Sequence, residues 1–342
     1  MNTNRIPGCF KTITMRKHPL MFLLAIPLFV TAAYLFYRVQ SRPPSYSSTS
    51  FLLDEQSVAF EGQGIAVGIR EKLDEMFWRT YEVSANDPFR GYFYLLNQQE
   101  AETYLLTCLI DYIQHPCTYN GEKQMRYRIV MGKNEQRDIA FETPELHQGF
   151  HDLMILAIAK PDEHDLSEDF RYSTDFNYLY ASRAVVLADN TRTQSPTVEY
   201  IPGAPQPDRL SPLNGVVVNQ DDTPGVLRAW LYQKTKAGDI LEYFIHLGND
   251  AGPSYTYAVM SFLDYQQIPL NDEYETAFVS LPAGTGITLS GYFEAPQDAG
   301  IYELMVVIVR NPYQLLEDPV SRRLTQSTGV ESSIRIAIEV TP

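Results

Sequence analysis

Cysteine, histidine and catalytic fingerprints are all scarce in this chain. Its 342 residues hold three cysteines and six histidines. Cys9 has no apolar region before it, so it is not a lipoprotein cysteine. His147-x-x-x-His151 has the spacing of a zinc-binding helix, but Gly149 interrupts it and the segment reads as a turn into a strand, which excludes a metal there. No Gly-x-Ser-x-Gly, phosphate loop or dinucleotide fingerprint occurs, and no carboxylate pair stands out as acid and base. The chain is read as non-enzymatic and without a cofactor. No Asn-x-Ser/Thr sequence is present, which favours a bacterial origin over a large eukaryotic ectodomain. Acidic residues are missing from residues 1–53, which hold six Lys/Arg, while residues 54–342 hold 21 basic and 42 acidic residues. A body that acidic repels phosphate backbones and excludes nucleic acid as a partner.

What the chain does have is an internal repeat. Phe293-Glu294-Ala295-Pro296, followed by Gly300-Ile301-Tyr302-Glu303-Leu304-Met305-Val306-Val307, has a near copy upstream. Phe141-Glu142-Thr143-Pro144 precedes Gly149-Phe150-His151-Asp152-Leu153-Met154-Ile155-Leu156. Asp111-Tyr112 is matched by Asp264-Tyr265, and Gly64-Ile65-Ala66-Val67 by Gly215-Val216-Val217-Val218. Tyr92-Phe93 matches Tyr243-Phe244 without a gap. The offset holds between 151 and 153 residues, too steady for chance.

One uncharged run is long enough for a membrane. Residues 20–37 would span about 27 Å as a helix, close to the bilayer core. Four basic residues precede the run and two follow it, which favours a cytoplasmic N-terminus. The reading is a cytoplasmic tail at 1–19, a single-pass signal-anchor at 20–37, and an extracytoplasmic body. The alternative is a cleaved signal peptide with a small-residue site at Val30-Thr31-Ala32. Residues 38–63, with Pro43-Pro44 and a serine-rich run, read as a stem.

The body reads as all-β. Met125, Tyr127 and Ile129 alternate with Arg126, Arg128 and Val130, the period of a strand with one apolar face. Leu153 to Ala159 is nearly all apolar, as in a strand central to a sandwich. Short segments at 70–76 and 98–104 are candidate helices. Strands punctuated by Pro and Gly indicate two tandem β-sandwiches, at 64–189 and 214–342, joined by a proline-rich, semi-rigid linker at 190–213. Trp78 and Trp230 are expected in the two cores.

Three further features stand out. Cys108 and Cys117 form a candidate disulfide, the alternative being two buried thiols. If 111–114 make a four-residue loop, the two cysteines face each other. If only Asp111-Tyr112 turn, Cys108 faces His115 and Cys117 lies on a diagonal too long without a bulge. The acidic loop 162–169 is dense enough in oxygen for calcium but lacks the ordered spacing of an EF-hand, so it reads as solvated. Twenty-three tyrosines, among them Tyr172, Tyr178, Tyr180, Tyr255 and Tyr257, are either half-buried strand residues or aromatic contacts for a sugar or a protein.

Asp298-Ala299-Gly300-Ile301-Tyr302-Glu303-Leu304 resembles the tyrosine corner of immunoglobulin-like sandwiches, with His151 in the tyrosine's place in the first copy. Together with the Phe-Glu-Ala-Pro strand end and the Pro282-Ala283-Gly284 turn, it resembles bacterial extracytoplasmic immunoglobulin-like modules such as the cell-adhesion-related domain. The resemblance covers most of the second unit and, more loosely, the first. It implies a surface or periplasmic setting with a binding or spacing role, structural corners at His151 and Tyr302, and no catalytic residues. The function expected is a membrane-anchored, non-catalytic interaction or spacer protein whose partner is a protein or a surface glycan. The alternatives are a carbohydrate-binding surface protein or an accessory subunit of a membrane complex.

Overall fold

The computed structural model describes residues 64–164, 166, 179–189, 196–201, 206–207, 213–223, 230–250, 252–271, 273–318 and 320–342. Every regular element among them is a strand, and the two candidate helices at 70–76 and 98–104 are absent. The described residues all fall in one compact unit.

The first half holds β1 (Ile65–Arg70), β2 (Thr80–Val83), β3 (Pro88–Asn97), β4 (Glu102–Ile110), β5 (Ile113–His115), β6 (Cys117–Tyr119), β7 (Glu122–Gln124), β8 (Arg126–Met131), β9 (Glu135–Glu145), β10 (Gly149–Ala159) and β11 (Leu179–Ala188). The second half holds β12 (Gln206–Pro207), β13 (Asn214–Asn219), β14 (Tyr232–Lys236), β15 (Ile240–Asn249), β16 (Tyr255–Leu263), β17 (Gln266–Ile268), β18 (Ala277–Leu281), β19 (Thr285–Glu294), β20 (Gly300–Arg310), β21 (Val330–Ser332) and β22 (Ile336–Thr341).

These strands build four stacked layers. The first is β1-β3-β9-β6-β7, and the second is β2-β11-β10-β4-β5 with β8 on β4. The third is β14-β22-β20-β16-β17 with β18 on β16 and β21 on β20, and the fourth is β12-β19-β15-β13. Repeat symmetry survives in detail: β2 joins β11 in parallel, as β14 joins β22.

Three apolar cores fill the gaps between layers. Phe93, Leu95, Ile155 and Val186 lie between layers one and two, and Tyr243, Ile245, Val306 and Ile338 between layers three and four. The third core joins the halves: Leu105, Leu109, Met154, Leu156 and Ile158 meet Met260, Phe262, Met305, Val307 and Val309. Successive residues of β10 therefore enter different cores, Leu153 and Ile155 one and Met154 and Leu156 the other. A strand covered on both faces needs an unbroken apolar run, which explains Leu153–Ala159 and Leu304–Val309.

Several expectations are corrected. The structure gives no support for the transmembrane helix of the expected fold class: among the described residues no helix is long and apolar enough to cross a membrane, and residues 20–37 lie outside them. The signal-anchor, the membrane as partner and the single-pass localisation with a cytoplasmic N-terminus lose that support and are not carried forward. The two sandwiches share a core, and most of the expected linker at 190–213 lies outside the described residues. The match of Tyr92 to Tyr243 slips by one residue, since Tyr92 points outward and half-buried while Tyr243 is in the core with the row of Phe93 and Leu95. One step of register moves a side chain to the other face. Trp230 is buried in its core, while Trp78 is half-buried against its own and covered by the guanidinium of Arg322, 4.9 Å from the ring centre.

Candidate functional site

The most elaborate chemistry in the molecule lies in the seam between layers two and three. It begins with two turns. Asp111-Tyr112 and Asp264-Tyr265 each close a two-residue hairpin with both residues at positive φ, between 47° and 68°. Such turns fit the twist of the strands, but an L-residue other than Gly, Asn or Asp is strained there. Each tyrosine is held by burial in the seam, and burial pushes both phenols up.

Around Tyr112 the seam carries an ion pair. Arg183 on β11 and Asp152 on β10 are buried and paired through two bonds of 2.6 Å each. Arg183 also donates across the seam to the carbonyls of Arg310 (3.0 Å), Asn311 (2.9 Å) and Thr328 (3.2 Å). The Asp152 carboxylate accepts from the Tyr112 hydroxyl and from the N–H of Tyr313 at 2.9 Å. Burial acts to lower the Arg183 pKa, but Asp152 outweighs it and holds the guanidinium above its usual range.

The second repeat mirrors this site. Arg335 stands where Arg183 does and donates to the carbonyls of Ala159 (3.3 Å) and Lys160 (3.0 Å), and to the Tyr265 hydroxyl (2.9 Å). Its acid is Glu303, the counterpart of Asp152, with Arg335 Nε 3.9 Å from Oε2. Glu303 Oε1 meets His164 Nδ1 of the first repeat at 2.5 Å, while Oε2 has no hydrogen-bond partner among the described residues. Burial is the main reason the Glu303 carboxyl is raised. On the pseudo-axis, Gln114 and Gln267 bond to each other reciprocally. An interface in which residue i of one half meets j of the other, and j meets i, is that of a two-fold dimer, here fused in one chain. Chemically the seam orients and locks. Apart from Glu303 Oε2, the polar groups named here are hydrogen-bonded within the seam.

The residues singled out in the sequence sit elsewhere. Cys108 and Cys117 are joined in a disulfide with Cα atoms 6.2 Å apart, by neither hairpin geometry considered. Asp111-Tyr112 is the turn and Cys108 faces His115, but after Pro116 the chain crosses to layer one, where Cys117 opens β6. The link therefore ties layer two to layer one. His151 Nε2 lies 2.7 Å from the carbonyl of His147, as Tyr302 Oη lies 2.9 Å from that of Asp298, each bonding four residues upstream. His151 Nδ1 also meets the Asp111 carboxylate at 2.7 Å. Among the described residues no group of three His, Cys, Asp or Glu side chains could hold a metal ion. Of the acidic loop, Asp162 pairs with Arg128 and His164 with Glu303, while residues 165 and 167–169 lie outside the described residues. Tyr257 is buried and Tyr255 packs edge-on against it, the half-buried strand reading of the tyrosines. Tyr180 packs on the first core, and Tyr172 and Tyr178 lie outside the described residues.

Arg183, Asp152, Gln114, Gln267 and Glu303 were missed from sequence. The signal was there. Arg183 and Arg335, Asp152 and Glu303, and Gln114 and Gln267 keep the repeat offset while their chemistry stays polar inside apolar strands.

No family model matches the chain, and no curated protein matches it. Solved structures do. The CARDB domain of the PF1109 protein from Pyrococcus furiosus, solved with di-metal ions, is 16% identical over 39% of this chain and 97% of that domain, with a TM-score of 0.25. Red sea bream transglutaminase is 7% identical over 82% of this chain and 31% of that one, with a TM-score of 0.23. PapD-like domain 7 of human CEP192 is 8% identical over 36% of this chain and 84% of that one, with a TM-score of 0.21. The resemblance to the cell-adhesion-related module is a weak one of fold, and no activity is carried over from it.

Proposed function

We propose that the protein is a non-catalytic interaction module that works as one rigid four-layer body. The observation that carries this reading is the seam. A shared apolar core and a doubled set of buried polar bonds leave the two sandwiches no freedom to hinge. With both inner faces consumed, partners meet the outer faces of layers one and four. The link between Cys108 and Cys117 supports an oxidising, extracytoplasmic setting. The ligand is a protein or a surface glycan, and the rigid stack also suits a spacer role.

A photo-crosslinking residue at Tyr92 on layer one, or at Tyr292 on layer four, tests this in the cells that make the protein. The reading expects an adduct from at least one face. Absence of adducts from both faces overturns it.

A further inference from the structure

The outer face of layer one carries a feature that layer four does not. Arg90 on β3 faces Glu142 on β9, and the two are joined by a planar fork of 3.0 and 3.3 Å. Thr118 on β6 stands on the other side of Glu142. One step along the strands, Tyr92 faces Ala140. Alanine is too small to cover the phenol ring, so a depression opens, lined by Tyr92, Arg90, Glu142, Thr118, Gly121 and Glu71. Its far wall is the β6–β7 hairpin, turned by Asn120-Gly121 with both residues at positive φ, a hairpin-turn pair. The hairpin is fastened at its first residue by Cys117.

The second repeat shows that the fold does not need any of this. Ser261 and Leu270 replace the two cysteines in the repeat alignment, and no strand is assigned between β17 and β18 among the described residues. On its outer face Tyr292 stands opposite Glu242 and Glu294 opposite Ile240. Tyrosine takes the place of Ala140, and the guanidinium is gone. Hairpin, link, fork and uncovered ring are thus additions to one half of a duplicated body.

We infer that this depression is a saccharide site, an inference that rests on the binding-module reading and names its ligand. A pyranose has an apolar C–H face and a rim of hydroxyls. The half-buried Tyr92 ring offers a stacking face for the first. The Arg90–Glu142 fork, Thr118 and Glu71 offer exposed donors and acceptors for the second, polar groups that orient a ligand on an open surface. The lining sets two carboxylates, Glu71 and Glu142, against the Arg90 guanidinium, with Lys123 one strand beyond Thr118, so no excess positive charge is left for a phosphate or uronic acid and an uncharged sugar fits best.

The test is a glycan array probed with the full chain, followed by titration of the best neutral saccharide. Ala140→Tyr fills the depression, as Tyr292 does in layer four, without touching the fork. Tyr92→Ala removes the platform and is expected to weaken binding by about three- to tenfold. Arg90→Lys keeps the charge and loses the fork. Support is an uncharged saccharide bound by the parent chain, lost in Ala140→Tyr and retained in Tyr292→Ala, with unchanged thermal unfolding of each variant. A silent array overturns the inference, as does binding indifferent to Ala140→Tyr. A silent array with a protein adduct at Tyr92 sinks the sugar and leaves the binding module standing. Silence with no adduct at Tyr92 or Tyr292 sinks both.

Discussion

Gln114 and Gln267 occupy matching places in the two repeats, and each main-chain N–H donates to the other's side-chain oxygen, at 2.6 and 2.8 Å. Each side-chain nitrogen then reaches the carbonyl of the opposite turn tyrosine, Gln114 to Tyr265 at 3.0 Å and Gln267 to Tyr112 at 2.9 Å. Four bonds therefore cross the pseudo-axis in two equivalent pairs. Removing the Gln114 amide leaves the Gln267 N–H and the Tyr265 carbonyl unsatisfied, whereas removing that of Gln267 leaves the Gln114 N–H so, the Tyr112 carbonyl keeping the Thr276 hydroxyl at 2.8 Å; each unsatisfied buried group costs about 1–3 kcal/mol. Gln114→Ala and Gln267→Ala are each expected to destabilise, and their effects should not add. A double-mutant cycle in denaturant should show about 0.5–3 kcal/mol of coupling; additive effects would count against a shared seam.

The Arg183–Asp152 pair predicts a sharper contrast. Both side chains are within 1% of full burial, so Arg183→Met strands a buried carboxylate. The expected loss is about 3–5 kcal/mol. The exposed Arg128–Asp162 pair looks similar in its contacts, yet Arg128→Met should cost no more than about 1 kcal/mol. Chemical denaturation of the two variants checks the ranking, and equal losses would contradict it.

How much of this could be read in the sequence follows from which layer a residue serves. The repeat, the strands and the corner segments at 149–156 and 300–307 were legible because they are local patterns. The stacking of layer two on layer three was not. Leu153–Ala159 was read as a strand central to one sandwich, although an antiparallel sandwich strand buries one face and alternates. An unbroken run in both copies was the sign of a third core. Tyr92 and Tyr243 misled for the opposite reason, since an ungapped match of two aromatic residues says nothing of facing. The polar seam joins residues far apart in the chain, as Arg183 joins Arg310, and no local pattern reports such a contact.

His151 makes a pH prediction. Its two ring nitrogens face the Asp111 carboxylate and the His147 carbonyl, so both act as donors in the imidazolium form. Burial works to lower its pKa, but those two bonds and the Asp111 charge together outweigh it and raise it. A raised folded value means stability that is fully present below the unfolded value of about 6.5 and lost as pH rises through the folded one. His151→Tyr, which installs the residue of the second repeat, keeps a corner donor without the charge. Stability measured from pH 5 to 9, roughly the span over which a histidine changes charge, should show a shallower decline above about 6.5 for the variant. Identical slopes would remove His151 from the account.

The cysteine link predicts a mass. Without reductant, the denatured chain should expose Cys9 to alkylation and shield Cys108 and Cys117. Reduction, or Cys117→Ala, should lower stability by about 2–3 kcal/mol, as for a short closed loop. Two further alkylatable thiols in the unreduced, denatured protein would contradict the link.

The central claim is that the two sandwiches are one cooperative body, and the two tryptophans measure it directly. Trp78 packs on the first core and Trp230 in the second. In Trp230→Phe the fluorescence reports on the first sandwich and on the Arg322 contact it receives from the second half, and in Trp78→Phe on the second sandwich. Each is followed through guanidinium unfolding beside the far-ultraviolet dichroism of the same sample. A shared seam predicts one transition, with fluorescence and dichroism coincident in both variants. Two separated transitions, one per tryptophan, would show sandwiches that fold and move independently, and the rigid body would be wrong.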